Sequence, residues 1–151
     1  MAIFKIVGNP CNTDEALHNL CNYIVRPDRT NGLVAGRGLR PECAYEDICA
    51  AQELYGKCSG RRAYHLLLAF DDLECIVPTE AEQIAFQVSS LFFPEFQVLY
   101  SVHTEQAHLH IHFAINTVSL FNGPKLHLTF KMLARLNEDI SSILQKYQIE
   151  S

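Results

Sequence analysis

The chain has 151 residues, of which 48% are hydrophobic and 19% charged, a composition that excludes a disordered protein and suits one domain with a real core. Its net charge of -5 argues against a generic polyanion binder, because phosphate neutralisation supplies most non-specific affinity for nucleic acid. No segment approaches the roughly 18 consecutive apolar residues of a membrane span, and no signal-type run opens the chain. We therefore expect one cytoplasmic domain over 1–151, without membrane insertion.

The first half of the chain predicts three strands, two helices and a loop. A strand at 2–7 precedes a helix that begins near Asn12, keeps helical apolar spacing to Ile24 and ends before Pro27. Residues 28–40 are predicted to form a loop with a short strand at 33–35. A second helix runs from Pro41 to about Tyr55, and a strand follows at 64–70.

The second half predicts a hairpin between two helices. A capping box at Thr79 and Glu82 begins the third helix, and strands at 96–103 and 108–120 are joined by a turn at 104–107. A short strand at 125–128 leads to a final helix capped at Thr129. The element order implies an α+β fold, a mainly antiparallel sheet with helices packed against it.

Alternating histidines are the most informative feature of the sequence. Successive strand residues point to opposite faces, so His108, His110 and His112 share one face while the intervening apolar residues enter the core. Imidazole is the commonest protein ligand for transition metals, and the hairpin brings His103 close as a further ligand. A solvated strand face would explain any one of these residues alone. Together they predict a metal site whose open coordination positions suit catalysis.

Two segments resemble motifs of plasmid mobilisation relaxases. The run from His103 to Asn116, with an acid at position 105 and the pair His110-Ile111-His112, is similar to the third relaxase motif. The segment around Tyr23, followed by Asp28-Arg29-Thr30, resembles the first motif, which carries the nucleophilic tyrosine. The similarity extends over nearly the whole chain and implies a relaxase-like sandwich.

The resemblance implies roles for five residues. Tyr23 corresponds to the nucleophile, and the metal ligands correspond to His103, His110 and His112. Glu105 stands where the family usually has Asp, and either carboxylate would orient His103 or help to deprotonate the tyrosine. From periodicity alone, Tyr23 is equally well explained as a core aromatic near a helix end.

Three further residues receive accessory roles. His65, at the start of a predicted strand, resembles a family histidine, although a lone strand histidine is more often structural. Asn116 resembles the trailing asparagine of the third motif, and a hydrogen bond at a strand end explains it as well. His108 shares the ligand face but lies outside the usual triad, and either a DNA contact or a structural role fits it.

Basic residues concentrate in one part of the chain. Seven of the twelve Lys and Arg residues lie between Arg26 and Arg62, so a locally basic surface is compatible with the acidic total. We predict that the backbone phosphates of DNA contact Arg37, Arg40, Arg61 and Arg62. An ordinary solvated basic face is the competing interpretation.

The resemblance implies a metal-dependent single-stranded DNA endonuclease and strand transferase. Such an enzyme nicks an origin of transfer, remains joined to the 5′ phosphate through tyrosine, and works with accessory relaxosome proteins. Mg²⁺ or Mn²⁺ is the expected ion, while three imidazoles also accept Zn²⁺ or Ni²⁺. The alternatives are a rolling-circle replication initiator or transposase of the same endonuclease type, and a non-cleaving DNA-binding module.

Overall fold

The computed structural model describes residues 1–71, 76–104 and 108–149, which form one five-stranded sheet with helices on both faces. The strands are β1 Ile3–Ile6, β2 Val34–Arg37, β3 Ala63–Ala69, β4 Val98–His103 and β5 His110–Asn116. The helices are α1 Asp14–Ile24, α2 Pro27–Thr30, α3 Ala44–Leu54, α4 Pro78–Ser89 and α5 Phe130–Gln145. The α+β class predicted from the sequence is confirmed.

The histidine-bearing strand lies at the centre of the sheet. The strand order is β1-β3-β5-β4-β2, and every neighbouring pair is antiparallel. The β4–β5 register places His103 directly opposite His110, and Ser101 opposite His112. Directly opposite residues in an antiparallel pair share a face, so the hairpin predicted from the sequence brings these histidines together.

The two faces of the sheet carry two separate clusters of buried side chains. On one face, Leu66 and Phe113 pack in a cluster with Ile84 of α4 and Leu144 of α5. On the other face, the small residues Ala63 and Ala114 lie in a cluster with the apolar sides of α1 and α3. Period-2 alternation along β5 therefore places the histidines on the face that α1 and α3 cover.

The sequence of α1 explains both its beginning and its position. The Thr13 hydroxyl accepts a hydrogen bond from the Ala16 N–H at 3.0 Å, and two acids in the first turn suit the helix dipole. Leu17 and Ile24 are fully buried at helical spacing. Because α1 ends at Ile24, three residues before Pro27, Tyr23 lies in its last turn, over the sheet.

Several predicted boundaries differ from the structure. The cap of α1 is Thr13 instead of Asn12, and α4 begins at Pro78, so the predicted capping box at Thr79 and Glu82 is wrong. The side chain of Glu80 instead accepts a hydrogen bond from the Val77 N–H at 3.2 Å. Proline suits the first helical position, because its missing N–H has no intrahelical partner there.

The region between β5 and α5 also differs from the prediction. β5 ends at Asn116, whose side-chain oxygen accepts the Val118 N–H, and residues 125–128 form no strand. A single backbone bond from Leu126 N–H to the Thr117 carbonyl, 2.7 Å long, joins the two segments. The final helix does begin after Thr129, as predicted, and the Thr129 hydroxyl accepts from Met132.

Two further features concern the described part of the chain. Within it, no helix is both long and apolar enough to cross a membrane. The cysteines at positions 11, 21, 43, 49 and 58 are free thiols, and burial raises the pKa of Cys21 to about 12.

Candidate active site

Four histidines form a cluster of rings on the α1 side of the sheet. His65 comes from β3, His103 from β4, and His110 and His112 from β5. The ring centroid of His112 lies 4.1 Å from that of His103, 5.1 Å from that of His65 and 6.4 Å from that of His110. His112 is therefore the centre of the cluster.

Tyr23 lies against the same cluster. Its ring centroid is 5.3 Å from that of His112, 5.4 Å from that of His103 and 5.9 Å from that of His65. The adjacent Ile24 is fully buried, and its carbonyl lies 3.2 Å from Nε2 of His103. These contacts hold the end of α1 over the histidines.

Hydrogen bonds constrain the tautomers of the central rings. A carbonyl only accepts, so Nε2 of His103 carries the proton that it donates to Ile24. In the neutral form of this ring, Nδ1 then carries the lone pair. Nε2 of His65 lies 2.9 Å from Nδ1 of His112, so one ring donates to the other. If Nδ1 of His112 is the donor, Nε2 of that ring has the lone pair that a metal ligand requires.

Burial favours the neutral forms of His65 and His112. Burial, followed by the charge of His103, lowers the pKa of His112 to about 2, and the same two causes lower the pKa of His65 to about 4. His103 and His112 are only 4% and 6% exposed. Neutral imidazole is the form that binds metal ions, so the electrostatics suit a metal site at neutral pH.

The imidazole nitrogens of the cluster are suitable ligands for a divalent ion, but the rings are not arranged to coordinate one ion. In residues 1–71, 76–104 and 108–149, no three His, Cys, Asp or Glu side chains are arranged to hold a metal ion. The hydroxyl of Ser101, opposite His112, is fully buried and makes no hydrogen bond within this part of the chain. A buried hydroxyl of this kind is compatible with a polar ligand beside His112.

Arg29 is a neighbour of the site that was not among the predicted functional residues. Its guanidinium carbon lies 5.6 Å from the ring centroid of Tyr23. After burial and the neighbouring histidines, its charge also lowers the pKa of His112. The Thr104 N–H donates to the Arg29 carbonyl at 2.8 Å, which ties α2 to the end of β4. The feature of the sequence that could have identified Arg29 is its position in the first motif, six residues after Tyr23.

The sequence and the fold can now be compared with known proteins. The family model "Relaxase: MobA/VirD2-like, nuclease domain" matches residues 23–149. The chain belongs to this relaxase family. The match begins at Tyr23 and includes the four clustered histidines.

Two curated relatives and one solved structure are similar to this chain. Two proteins called Protein rlx, from Staphylococcus aureus, are 29% identical over 84 residues and 33% identical over 72 residues. The alignments cover 56% and 48% of this chain but 25% and 22% of those proteins, so the relaxase chain spans about a quarter of the length of the curated relatives it matches. A structure described as "Molecular Basis of Vancomycin Resistance Transfer in Staphylococcus aureus" has a TM-score of 0.63 at 10% identity, covering 97% of this chain and 92% of that one. That likeness shows a shared fold.

The remaining motif residues of the relaxase lie in different surroundings. Asn116 is fully buried; its amide accepts from Gln52 at 2.9 Å and donates to Gln97 at 2.8 Å, so it holds the end of β5. His108 lies half-buried just before β5. Glu105 lies outside the described residues.

Two of the four arginines predicted to contact DNA make intramolecular contacts near α3 and α4. The Arg37 guanidinium lies 4.1 Å from the ring centroid of Phe86 and 4.8 Å from that of Phe93, and it donates to two serine hydroxyls of α4 and its C-cap. The Arg40 guanidinium pairs with Asp47 at 2.8 Å and holds the pKa of that carboxyl below its usual range. Arg37 thus joins β2 to α4, whereas Arg40 stays largely exposed.

The other two arginines of this set differ from each other. In place of the predicted phosphate contact, Arg62 is 5% exposed and pairs with Asp14 and the side chain of Gln52. Arg61 remains near the surface, where it stacks 4.6 Å from the ring centroid of Tyr64 and donates to a backbone carbonyl. Arg62 therefore supports the fold, and Arg61 stays a candidate for contact with DNA.

Proposed function

We propose that this relaxase cuts and rejoins single-stranded DNA at an origin of transfer, with Tyr23 as the nucleophile. The observation that supports this most strongly is the Tyr23 ring, whose centroid lies between 5.3 and 5.9 Å from those of three histidines of the cluster. Membership of a relaxase nuclease family supports the same reaction class. In this chain the tyrosine precedes the histidine pair. The opposite order, with the tyrosine after the pair, is typical of rolling-circle initiators and transposases.

In the proposed step, the phenol oxygen of Tyr23 attacks the phosphorus of the scissile phosphodiester. A bond forms between that oxygen and phosphorus, and the bond from phosphorus to the 3′ oxygen breaks. The electron pair leaves with the 3′ oxygen, which takes up a proton from solvent water, while the phenol passes its proton to a base. Glu105 is our candidate for that base, by its position in the third motif. The product is a 5′-phosphotyrosine ester, whose reversal rejoins strands.

His103, His110 and His112 are the residues that would hold a divalent ion, with Mg²⁺ or Mn²⁺ expected and Zn²⁺ or Ni²⁺ also compatible. When bound, such an ion polarises a phosphate and offsets charge on a departing oxygen. His65 has a positioning role in this proposal: its bond to Nδ1 of His112 orients that ring and selects its tautomer.

Arg29 is the candidate for a direct contact with the scissile phosphate. Its guanidinium lies beside the Tyr23 ring, and arginine presents a planar set of donors that matches phosphate geometry. A cation at this place would neutralise charge that develops on the phosphate oxygens during attack. This role is proposed in addition to the metal ligands.

The partners and setting of the reaction are also proposals. The relatives' name and the family point to plasmid mobilisation, with single-stranded DNA as substrate and accessory relaxosome proteins at the origin, in the cytoplasm. Because the chain spans about a quarter of those relatives, the activity of a longer protein is included in the proposal.

Trapping of the covalent intermediate tests the function directly. Incubated with Mn²⁺ and single-stranded oligonucleotides that tile a cognate origin of transfer, the protein should give a DNA adduct that survives denaturing electrophoresis. Tyr23→Phe removes only the hydroxyl, so DNA binding should persist while the adduct disappears. The matched control is Tyr147→Phe: this hydroxyl bonds to Gln87 at 3.0 Å, in the cluster on the other face of the sheet.

Three outcomes would contradict the proposal. An adduct retained by Tyr23→Phe would assign the nucleophile to another residue. An adduct formed only on a rolling-circle replication origin would favour the replication initiator. Binding without any adduct on every origin would favour a non-cleaving module.

A further inference from the structure

A cationic cleft lies at the beginning of β3, away from the candidate active site. Its volume is about 480 Å³, and it is lined by Arg61, Lys125 and His127, with Tyr64 beneath them. Tyr64 and His65 are adjacent in β3 and point to opposite faces of the sheet. The cleft therefore opens on the face opposite the histidine cluster, close to the end of the sheet.

The cations at this cleft donate to backbone carbonyls. Lys125 donates to the Ser59 carbonyl at 2.6 Å and Arg61 to the Asn9 carbonyl at 2.8 Å. The neighbouring Lys57 donates to the Gly123 carbonyl at 2.8 Å. Within the part of the chain that the structure describes, no carboxylate lies within 4.0 Å of these three side-chain cations. Backbone carbonyls orient a cation but leave its charge in place.

This arrangement is unusual in a protein with a net charge of -5. Burial, and then the charges of Arg62 and Lys57, lower the pKa of Lys125, so like charges are close enough to repel one another. Repulsion among fixed cations is relieved when an anion binds between them. The local charge thus favours an anionic ligand.

Backbone contacts hold the two sides of the cleft together. The Leu128 N–H donates to the Tyr64 hydroxyl at 3.1 Å, and Lys125 Nζ lies 3.4 Å from the position that a Cβ on Gly60 would occupy. Gly60 has a φ of +71°, which allows the turn to pass close to the ammonium group. The cations are therefore set in place before any ligand arrives.

The cleft is better suited to a phosphate backbone than to a base. Tyr64 is only 6% exposed, and the guanidinium of Arg61 covers its ring at 4.6 Å. The Tyr64 ring is therefore not open for a base to stack on, whereas the surrounding donors suit phosphate oxygens.

We propose that the cleft formed by Arg61, Lys125 and His127 binds the phosphodiester backbone of single-stranded DNA that flanks the bond cut at Tyr23. This inference rests on the proposed function. Extended chain spans at most roughly 3.6 Å per residue, so the Cα atoms of Arg61 and His65 are no more than about 14 Å apart. A strand leaving the histidine cluster around the end of the sheet reaches the cleft within a few nucleotides.

Salt dependence of binding tests the proposal independently of cleavage. Tyr23→Phe protein, in metal-free buffer, is titrated with a fluorescent single-stranded origin oligonucleotide at several salt concentrations, and anisotropy is measured. Each lost phosphate contact flattens the slope of log K against log salt by about 0.7 on single strands. Adding Lys125→Gln should therefore flatten the slope by about 0.7, and Arg61→Gln with Lys125→Gln by about 1.4.

The matched control is Lys146→Gln, the same charge change at the exposed C-terminal end of α5. Lys146→Gln should leave the slope unchanged. Lys125→Arg keeps the positive charge and should therefore give the same slope as the parent protein. Shortening the oligonucleotide from one end, up to the nick, should abolish the difference between Lys125→Gln and its parent.

The proposal that the cleft binds DNA is refuted if the slope for Lys125→Gln equals that for Lys146→Gln. If the unaltered protein still forms the Tyr23 adduct, only the cleft is refuted. If no adduct forms while the cleft variants change the slope as expected, the proposed chemistry fails and the binding site stands.

Discussion

Replacement of His65 by Leu is the sharpest test of how the histidine cluster is organised. The change removes the nitrogen that lies 2.9 Å from Nδ1 of His112 and keeps an apolar side chain of similar size. The orientation and tautomer of His112 then lose their support. Loss of such a supporting bond typically lowers metal affinity by about 10- to 100-fold. This equals about 1.4 to 2.8 kcal/mol, since each 1.4 kcal/mol is a factor of ten.

The matched variant is His65→Gln, whose amide reaches the place of Nε2 and restores a hydrogen bond to His112. Calorimetric titration with Mn²⁺, supported by loss of the free Mn²⁺ signal in electron paramagnetic resonance, measures the affinity of all three proteins. His18→Gln serves as a control, because that exposed ring lies on α1 and contacts Tyr45. Equal Mn²⁺ affinity in the Leu variant and the unaltered protein would refute the positioning role.

Three further predictions concern the same site. His110→Ala should strongly reduce the Mn²⁺ affinity measured by calorimetry. The free energy of unfolding measured in urea should change by no more than about 0.5 kcal/mol, because the ring is half-exposed. Unchanged affinity would remove His110 from the ligand set. Arg29→Gln should slow adduct formation on the order of 100-fold, as loss of one transition-state donor does, and an unaltered single-turnover rate would exclude a phosphate contact. In the presence of a metal chelator, the free energy of unfolding should fall as the pH drops from 6.5 toward 4. The pKa of His65 is about 4 in the folded protein and returns to 6.5 on unfolding. The unfolded chain therefore binds more protons in this pH range, which destabilises the folded state. His65→Gln should make this pH dependence shallower in urea titrations, and an identical profile would contradict the assigned burial effect.

Local sequence patterns predicted most of the elements because they depend on near neighbours. Alternation along β5 placed His110 and His112 on one face, and the threonine cap with its apolar stripe placed α5. Boundaries were less certain where competing local signals exist, as at α4, where Pro78 and Glu80 form the helix start in place of Thr79 and Glu82. The motif resemblance selected Tyr23, which periodicity alone did not distinguish from a core aromatic.

The sequence by itself therefore determined the fold class, the histidine face and the candidate nucleophile, since periodicity and motif spacing are local properties. Tertiary structure decided which side chains meet. The antiparallel register brought His65 to His112, and the end of α1 brought Tyr23 and Arg29 to them. It also buried Arg62 against Asp14 and left the adjacent Arg61 at the cleft beside Lys125. Both residues are arginines, so only packing, which sets burial and the nearest partner, distinguishes an internal support from a surface that can bind DNA.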